Sequence, residues 1–177
     1  MEIDCINSDA QREHWNEVFT TQPEKFGVDP SWAAETASRL FRENGISRIL
    51  ELGGGQGRDT IFFARNGFNV TVVDYSEEEV CAITQSAQTQ EVLDMITGLC
   101  LDVRKPLPFP DEYFDACYSH MLYCMALTMS GLEGSRAKFG EFSNLAAPTS
   151  IQFETHPILI METARLFVMA HTRSPAT

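Results

Sequence analysis

An α/β fold on a mostly parallel sheet is predicted by three features of the 177-residue sequence. Apolar runs of strand length alternate with helically spaced segments between residues 46 and 128, the order of a parallel sheet with crossover helices. Ile49 to Gly57 read Ile-Leu-Glu-Leu-Gly-Gly-Gly-Gln-Gly, so one such run meets a glycine-rich turn and then an amphipathic stretch. Asp74 and Asp102 end the next two strand-like runs. Strand, tight turn and helix in that order make a Rossmann-like nucleotide site, and the chain reads as a Rossmann-like three-layer sandwich. Glycines are needed in such a turn because a side chain would hold the backbone away from a ligand and oppose positive φ. The helix start adds free N–H groups and the positive end of a dipole.

The elements follow in order. Helices are expected over 1–45, with Asp29-Pro30 as N-cap and first-turn proline, Ala33, Ala37, Leu40 and Phe41 on one face, and Gly45 at C′. Residues 46–52 form a buried strand and 58–66 a helix closed by Gly67. The β-branched run 68–74 is the second strand. Ser76 caps a helix over 77–89, whose first turn, Glu77 to Glu79, reads as a solvated acidic turn. A third strand spans 95–101. Three prolines make 105–112 a loop. Tyr113 to Ser119 is a fourth strand and 121–128 begins a helix, with Met121, Leu122, Met125 and Leu127 as core. Ligands of such sheets bind at the strands' C-terminal ends.

Length and composition set limits on function. One domain with a real core fits 177 residues, and two do not. No stretch approaches the roughly 20 apolar residues of a membrane span, and Met-Glu-Ile-Asp-Cys at the N-terminus lacks a signal peptide's basic and apolar regions. Five cysteines without a C-x-x-C pair suit a reduced, cytoplasmic protein. A net charge of −12 opposes nucleic-acid binding. No His/Cys cluster has metal spacing.

Two nucleotide ligands compete for the glycine turn. A dinucleotide fingerprint, G-x-G-x-x-G, places its third glycine at position 58, which is Arg. The pattern E-x-G-x-G-x-G is met by Glu51, Gly53, Gly55 and Gly57. It resembles the first motif of class I S-adenosylmethionine-dependent methyltransferases. Asp74, 21 residues after Gly53, suits a ribose in either case. Leu101-Asp102-Val103 and the run 107–115 leading into Ala-Cys-Tyr-Ser-His are also similar to that family. The resemblance covers about residues 10–128.

The resemblance implies roles. Gly53, Gly55 and Gly57 face the methionine part of S-adenosylmethionine, Asp74 holds the ribose and Tyr75 packs beside the adenine. Asp102 and Val103 border the adenine, Ser119 and His120 sit by the sulfonium, and Glu51, Gly54 and Ser76 complete the cofactor set. Arg58-Asp59 matches a subset of small-molecule enzymes resembling the tellurite and thiopurine types. A Ser-His-Met-Leu strand end, unlike the Asp/Asn-Pro-Pro-Tyr ending of nucleic-acid amino-methylating enzymes, points to a small-molecule acceptor. Each residue also has a plainer reading. Asp74 can cap the next helix, Asp102 can be a turn acid, and His120 is a structural histidine or a catalytic base. Trp15 and Phe26 lid the cofactor or pack in the core.

The tail departs from the pattern. Residues 1–128 hold 9 Lys/Arg and 21 Asp/Glu, whereas residues 129–177 hold 4 of each. The family's fifth strand and Leu-Lys-Pro-Gly-Gly-like turn are not visible there. Joining each codon's third base to the next two restores it: the codons of Gly140 to Ala147 then permit Arg-Val-Leu-Lys-Pro-Gly-Gly. Residues from about 130–137 onward therefore read as a frameshift product, with a true variant ending as the alternative. Residues 1–128 are expected to form the methyltransferase domain (core 46–128) and 129–177 a tail foreign to the fold. The sheet is then incomplete after its fourth strand, one edge is open, and a helix over 158–169 covers part of the gap.

Three functions follow: methyl transfer to a small molecule with the activity of this form in doubt, NAD(P)-dependent oxidoreduction, and non-catalytic S-adenosylmethionine binding. The oxidoreductase lacks a third fingerprint glycine and an evident Tyr/Lys pair.

Overall fold

A computed structural model describes residues 8–22, 25–110, 113–122, 158–161 and 166–170. Helices α1 (Ser8–Thr21) and α2 (Trp32–Glu43) precede β1 (Arg48–Leu52), α3 (Arg58–Arg65), β2 (Asn69–Asp74), α4 (Glu77–Thr89), a short 3-10 turn (Leu93–Met95), β3 (Ile96–Cys100) and β4 (Ala116–His120). The last strands are β5 (Ile158–Met161) and β6 (Leu166–Ala170). The sheet runs β3-β2-β1-β4-β6-β5. Its first four strands are parallel, so the α/β, mostly parallel architecture stands as expected.

Alternation along these strands divides the core. Ile49, Val70, Val72, Ala116 and Tyr118 face α2, α3 and α4, where Ala33, Ala37, Phe41, Phe63 and Ile83 meet them. Small residues on α2 let it sit close, and its Phe41 lies 5.8 Å from Phe63. The opposite face, Leu50, Leu52, Val73 and Cys117, packs against Val103, Leu107 and Phe114. Among the described residues that third layer is the proline-rich segment, not a helix. Asp115 accepts from the Arg48 guanidinium at 2.8 Å and from its N–H at 2.8 Å, pinning the starts of β4 and β1 together.

Three expectations are corrected. The N-cap of α2 is Ser31, not Asp29: its extended backbone (φ −66, ψ 150) and its hydroxyl, which accepts the Ala34 N–H, end the loop two residues later. The fourth strand starts at Ala116, because the chain reaches the sheet only after Asp115 has been captured at its edge. Residues 158–169 are not a helix. Ile158–Met161 and Leu166–Ala170 form an antiparallel pair, and β6 bonds antiparallel along β4, so the edge of β4 is closed. Two short apolar runs split by Glu-Thr-Ala-Arg satisfy unpaired strand groups better than one helix would. The helix expected over 121–128 falls outside the described residues beyond Leu122. Among the described residues no helix is long and apolar enough to cross a membrane.

Candidate functional site

The glycine turn leaves β1 with the ladder still intact, as the Gly53 N–H donates to the Val73 carbonyl at 2.8 Å. Part of the demand for glycine is internal. A Cβ on Gly54 would lie 2.3 Å from Val72 Cγ2, and one on Gly57 2.6 Å from Ile83 Cγ1. Gly57 also sits at φ +79, capping α3 without a side chain. The turn is tied down from outside, since Asp74 Oδ2 accepts the Gly55 N–H at 3.0 Å and Oδ1 the Ser76 N–H at 3.1 Å. Ser76 is the N-cap of α4, as read from the sequence.

Above the turn opens a cleft of about 840 Å3. Asp74, Tyr75, Ser76 and Glu79 from β2 and α4, His120, Met121 and Leu122 from the end of β4, and the aromatic Trp15, Phe19 and Phe26 line it. The three aromatic rings lie 5.5–6.3 Å apart. They are half-buried and line the cleft rather than belong to the buried core. Phe19 shows no comparable signal in the sequence beyond its aromatic character.

The cleft is acidic. Among the described residues, Glu51, Asp59, Asp74 and Glu79 line it against one guanidinium, that of Arg58. Glu51, 3% exposed, has an Oε2 without a hydrogen-bond partner among the described residues. Burial, followed by the charge of Asp59, pushes its carboxyl up to about 8. Burial also raises Asp74, against the opposing pull of the Ser76 and Gly55 N–H groups. Glu79 rises to about 7 through burial and then the charge of Asp74. At 7% exposed, Glu79 corrects the expectation of a wholly solvated first turn: only Glu77 and Glu78 are exposed. The Glu79 N–H donates to the Ser76 hydroxyl at 3.3 Å.

Beside His120 lies a buried network on Asp59. Its Oδ1 accepts the Ser31 N–H at 2.8 Å, and its Oδ2 accepts the Ser31 hydroxyl at 2.8 Å and the Tyr118 hydroxyl at 2.7 Å. His120 Nδ1 stands 3.6 Å from the same Oδ2. Burial alone would raise Asp59, but the contact with His120 and the donors of Ser31 and Tyr118 outweigh it and hold the carboxyl below its ordinary value. A second open cleft of about 880 Å3 runs past Asp29, Pro30 and Trp32 and shares Phe26, Arg58 and His120 with the first.

Of the residues singled out in the sequence, Glu51, Gly53, Gly54, Gly55, Asp74, Tyr75, Ser76 and His120 meet at the first cleft. Gly57, Asp102, Val103 and Ser119 are not in its described lining. Asp102 is paired with Arg104 at 2.7 Å, Val103 packs in the apolar layer, and Ser119 donates to the Leu52 carbonyl at 3.1 Å. Asp59 is the polar centre that sequence reading noted only as part of a dipeptide pattern.

Residues 49–135 match the family described as a methyltransferase domain. No curated protein matches the chain in sequence. Among solved structures it is similar to a Methanococcus maripaludis protein described as an S-adenosyl-L-methionine-dependent methyltransferase, at 12% identity, over 100% of this chain and 99% of the other, with a TM-score of 0.59. It is also similar to YjhP of E. coli (21% identity, 69% of this chain and 51% of the other, TM-score 0.54). A third is the glycopeptide N-methyltransferase MtfA complexed with S-adenosyl-L-methionine (21% identity, 63% and 45%, TM-score 0.51). The chain spans about half the length of the last two. These identities establish likeness of fold.

Proposed function

We propose, for a chain whose residues 49–135 belong to the methyltransferase-domain family, that the glycine-turn cleft binds S-adenosylmethionine and that its methyl group passes to a small-molecule acceptor. The observation that carries this reading is the acidity of the described lining: four carboxyl groups against one guanidinium, with Glu51 and Glu79, raised to about 8 and about 7, able to ionise against a bound cation. S-adenosylmethionine bears a sulfonium and an ammonium, which such a cleft attracts, whereas the pyrophosphate of a dinucleotide meets repulsion. The Arg58 guanidinium is already engaged by the Phe26 carbonyl and stands 3.7 Å from Asp59.

The residues present fit the cofactor. The orphaned Glu51 Oε2 would take a cationic donor, and Asp74, held from behind by two N–H groups, would accept the ribose hydroxyls. Gly53 and Gly55 bring backbone to the methionine part, and Tyr75 and Ser76 border the nucleoside. Adenine contact from Asp102 and Val103 requires Arg104 to release its carboxylate. When bound, S-adenosylmethionine supplies a methyl group in line to the acceptor's lone pair, the S–C electrons staying on sulfur. This chain's residues align the partners and keep water out, the latter through the rings of Trp15, Phe19 and Phe26.

Calorimetry tests the reading. S-adenosylmethionine should bind and NADH should not; binding of NADH alone would overturn it. Turnover in a screen of small acceptors separates an enzyme from a cofactor-binding protein. The acidity of the chain supports an acceptor other than nucleic acid, and five cysteines without a C-x-x-C pair support a cytoplasmic location. We further propose that 1–128 is the methyltransferase unit that carries the cofactor cleft and 129–177 a frameshifted tail, two strands of which extend its sheet past β4. Gene codons unable to spell the restored turn would defeat that second point.

A further inference from the structure

Asp59 gathers more donors than the first turn of a helix requires. The carboxylate is 5% exposed, yet it joins three elements: the N-cap of α2 through Ser31, its own α3, and β4 through Tyr118. Alternation along β4 puts Tyr118 and His120 on the same face, and both address the one oxygen, Oδ2. Oδ1 is committed to the Ser31 N–H, a donor that cannot reverse. The imidazole turns its Nδ1 toward Asp59, 3.6 Å from Oδ2, and the ring lines both clefts.

We propose that Asp59 is a positioning residue that holds His120 as the Nδ1–H tautomer, leaving Nε2 to take the proton from the attacking atom of the methyl acceptor. This rests on the methyltransferase reading above. It also narrows the acceptor to the class whose nucleophilic atom arrives bearing a proton. As that atom's lone pair forms its bond to carbon, its X–H bond breaks, the bonding pair stays on X, and the proton passes to Nε2. Asp59 then faces an imidazolium, which sheds the proton to solvent through the open second cleft. Arg58 and Asp29 line the second cleft with His120, and Glu51 neighbours Tyr118 in register; among the described residues Asp59 alone is in ion-pair range of the ring.

Nitrogen NMR of the full-length chain with labelled imidazole nitrogens tests this without any acceptor, His120 being assigned from a His120→Gln variant. In the neutral ring of the wild type, Nδ1 should carry the hydrogen. In Asp59→Asn the side-chain oxygen must stay on the Ser31 N–H, which places the amide nitrogen at the position facing His120. That group donates, so the tautomer should invert to Nε2–H. Tyr118→Phe keeps the charge and should keep the wild-type tautomer, even though it loosens the fold. A wild-type ring protonated on Nε2, or one tautomer in both the wild type and Asp59→Asn, would overturn the proposal. Should Asp59→Asn fail to fold, the wild-type tautomer alone decides. Calorimetry on the same wild-type sample reads cofactor binding separately, so failure of the tautomer and failure of the methyltransferase reading are distinguishable.

Discussion

The Gly55 N–H donates to Asp74 Oδ2 at 3.0 Å, so the end of β2 fixes the shape of the turn that leaves β1. With Oδ1 on the Ser76 N–H, one side chain registers both the turn and the start of α4. Each carboxylate oxygen has further acceptor capacity toward the cleft. Asp74→Ala removes the charged acceptor for the ribose and loosens the turn together. Hydrogen bonds to charged groups contribute about 1.5–3 kcal/mol, so calorimetry should show S-adenosylmethionine binding weakened roughly 10–100-fold. Unchanged affinity would remove Asp74 from the site.

Glu51 gives the site a pH dependence of definite sign. Its folded carboxyl, raised by burial to about 8 from 4.5, binds a proton more tightly than in the unfolded chain. Stability therefore falls as pH climbs from about 4.5 and levels off above 8, by an amount on the order of a few kcal/mol. Glu79, raised to about 7, adds a smaller slope of the same sign. Glu51→Gln should melt higher than the wild type at pH 8–9 and much closer to it near pH 5. The same variant should bind S-adenosylmethionine more weakly. Wild-type binding should tighten between pH 6 and 8, with a proton released, as read from calorimetry in buffers of different ionisation enthalpy. A melting difference independent of pH would show that Glu51 is not the titrating group.

The frame was legible because its signals are local. Gly67 after α3, Ser76 before α4 and the β-branched run of β2 each declare an element boundary within a few residues. The parts that escaped depend on distance. Asp59 is defined by Ser31, 28 positions earlier, and Tyr118, 59 positions later, and no local pattern joins them. Ser31 displaced Asp29 as N-cap because its hydroxyl serves that carboxylate as well as the helix. The strands β5 and β6 read as one helical run because an apolar stretch of that length carries no period of its own, and the partner that decides it, β4, lies about 50 residues upstream of β6.

Gly57 and Ile83 make a packing pair that separates structure from binding within the glycine motif. Gly57→Ala places a methyl group about 2.6 Å from Ile83 Cγ1 and forces alanine to φ +79. Left-handed strain and overpacking each cost roughly 1–3 kcal/mol. Urea unfolding should show a loss of roughly 2–6 kcal/mol, and in an Ile83→Ala background, which lacks the Cγ1 that the new methyl group meets, the further loss from Gly57→Ala should be smaller. The expected result is a positive coupling in the double-mutant cycle. Additive losses would mean that backbone strain alone makes position 57 a glycine.

Tyr118 donates its hydroxyl to a carboxylate that the fold holds below its ordinary range. For a carboxyl with a lowered folded value, the stabilising contribution is present above 3.8 and is lost as pH falls through the lower folded value. Tyr118→Phe removes one of the donors to buried Asp59 and leaves the ring, which packs edge-on to Phe63 at 4.8 Å, in place. The variant should lose about 1.5–3 kcal/mol at neutral pH, and its deficit should shrink in acid once Asp59 is protonated in both proteins. Urea midpoints at neutral pH and at an acid pH where carbon NMR shows the Asp59 carboxyl protonated in both proteins check this. A deficit of equal size at both would assign the hydroxyl to packing and to its 3.2 Å contact with Ser31 Oγ, rather than to the carboxylate.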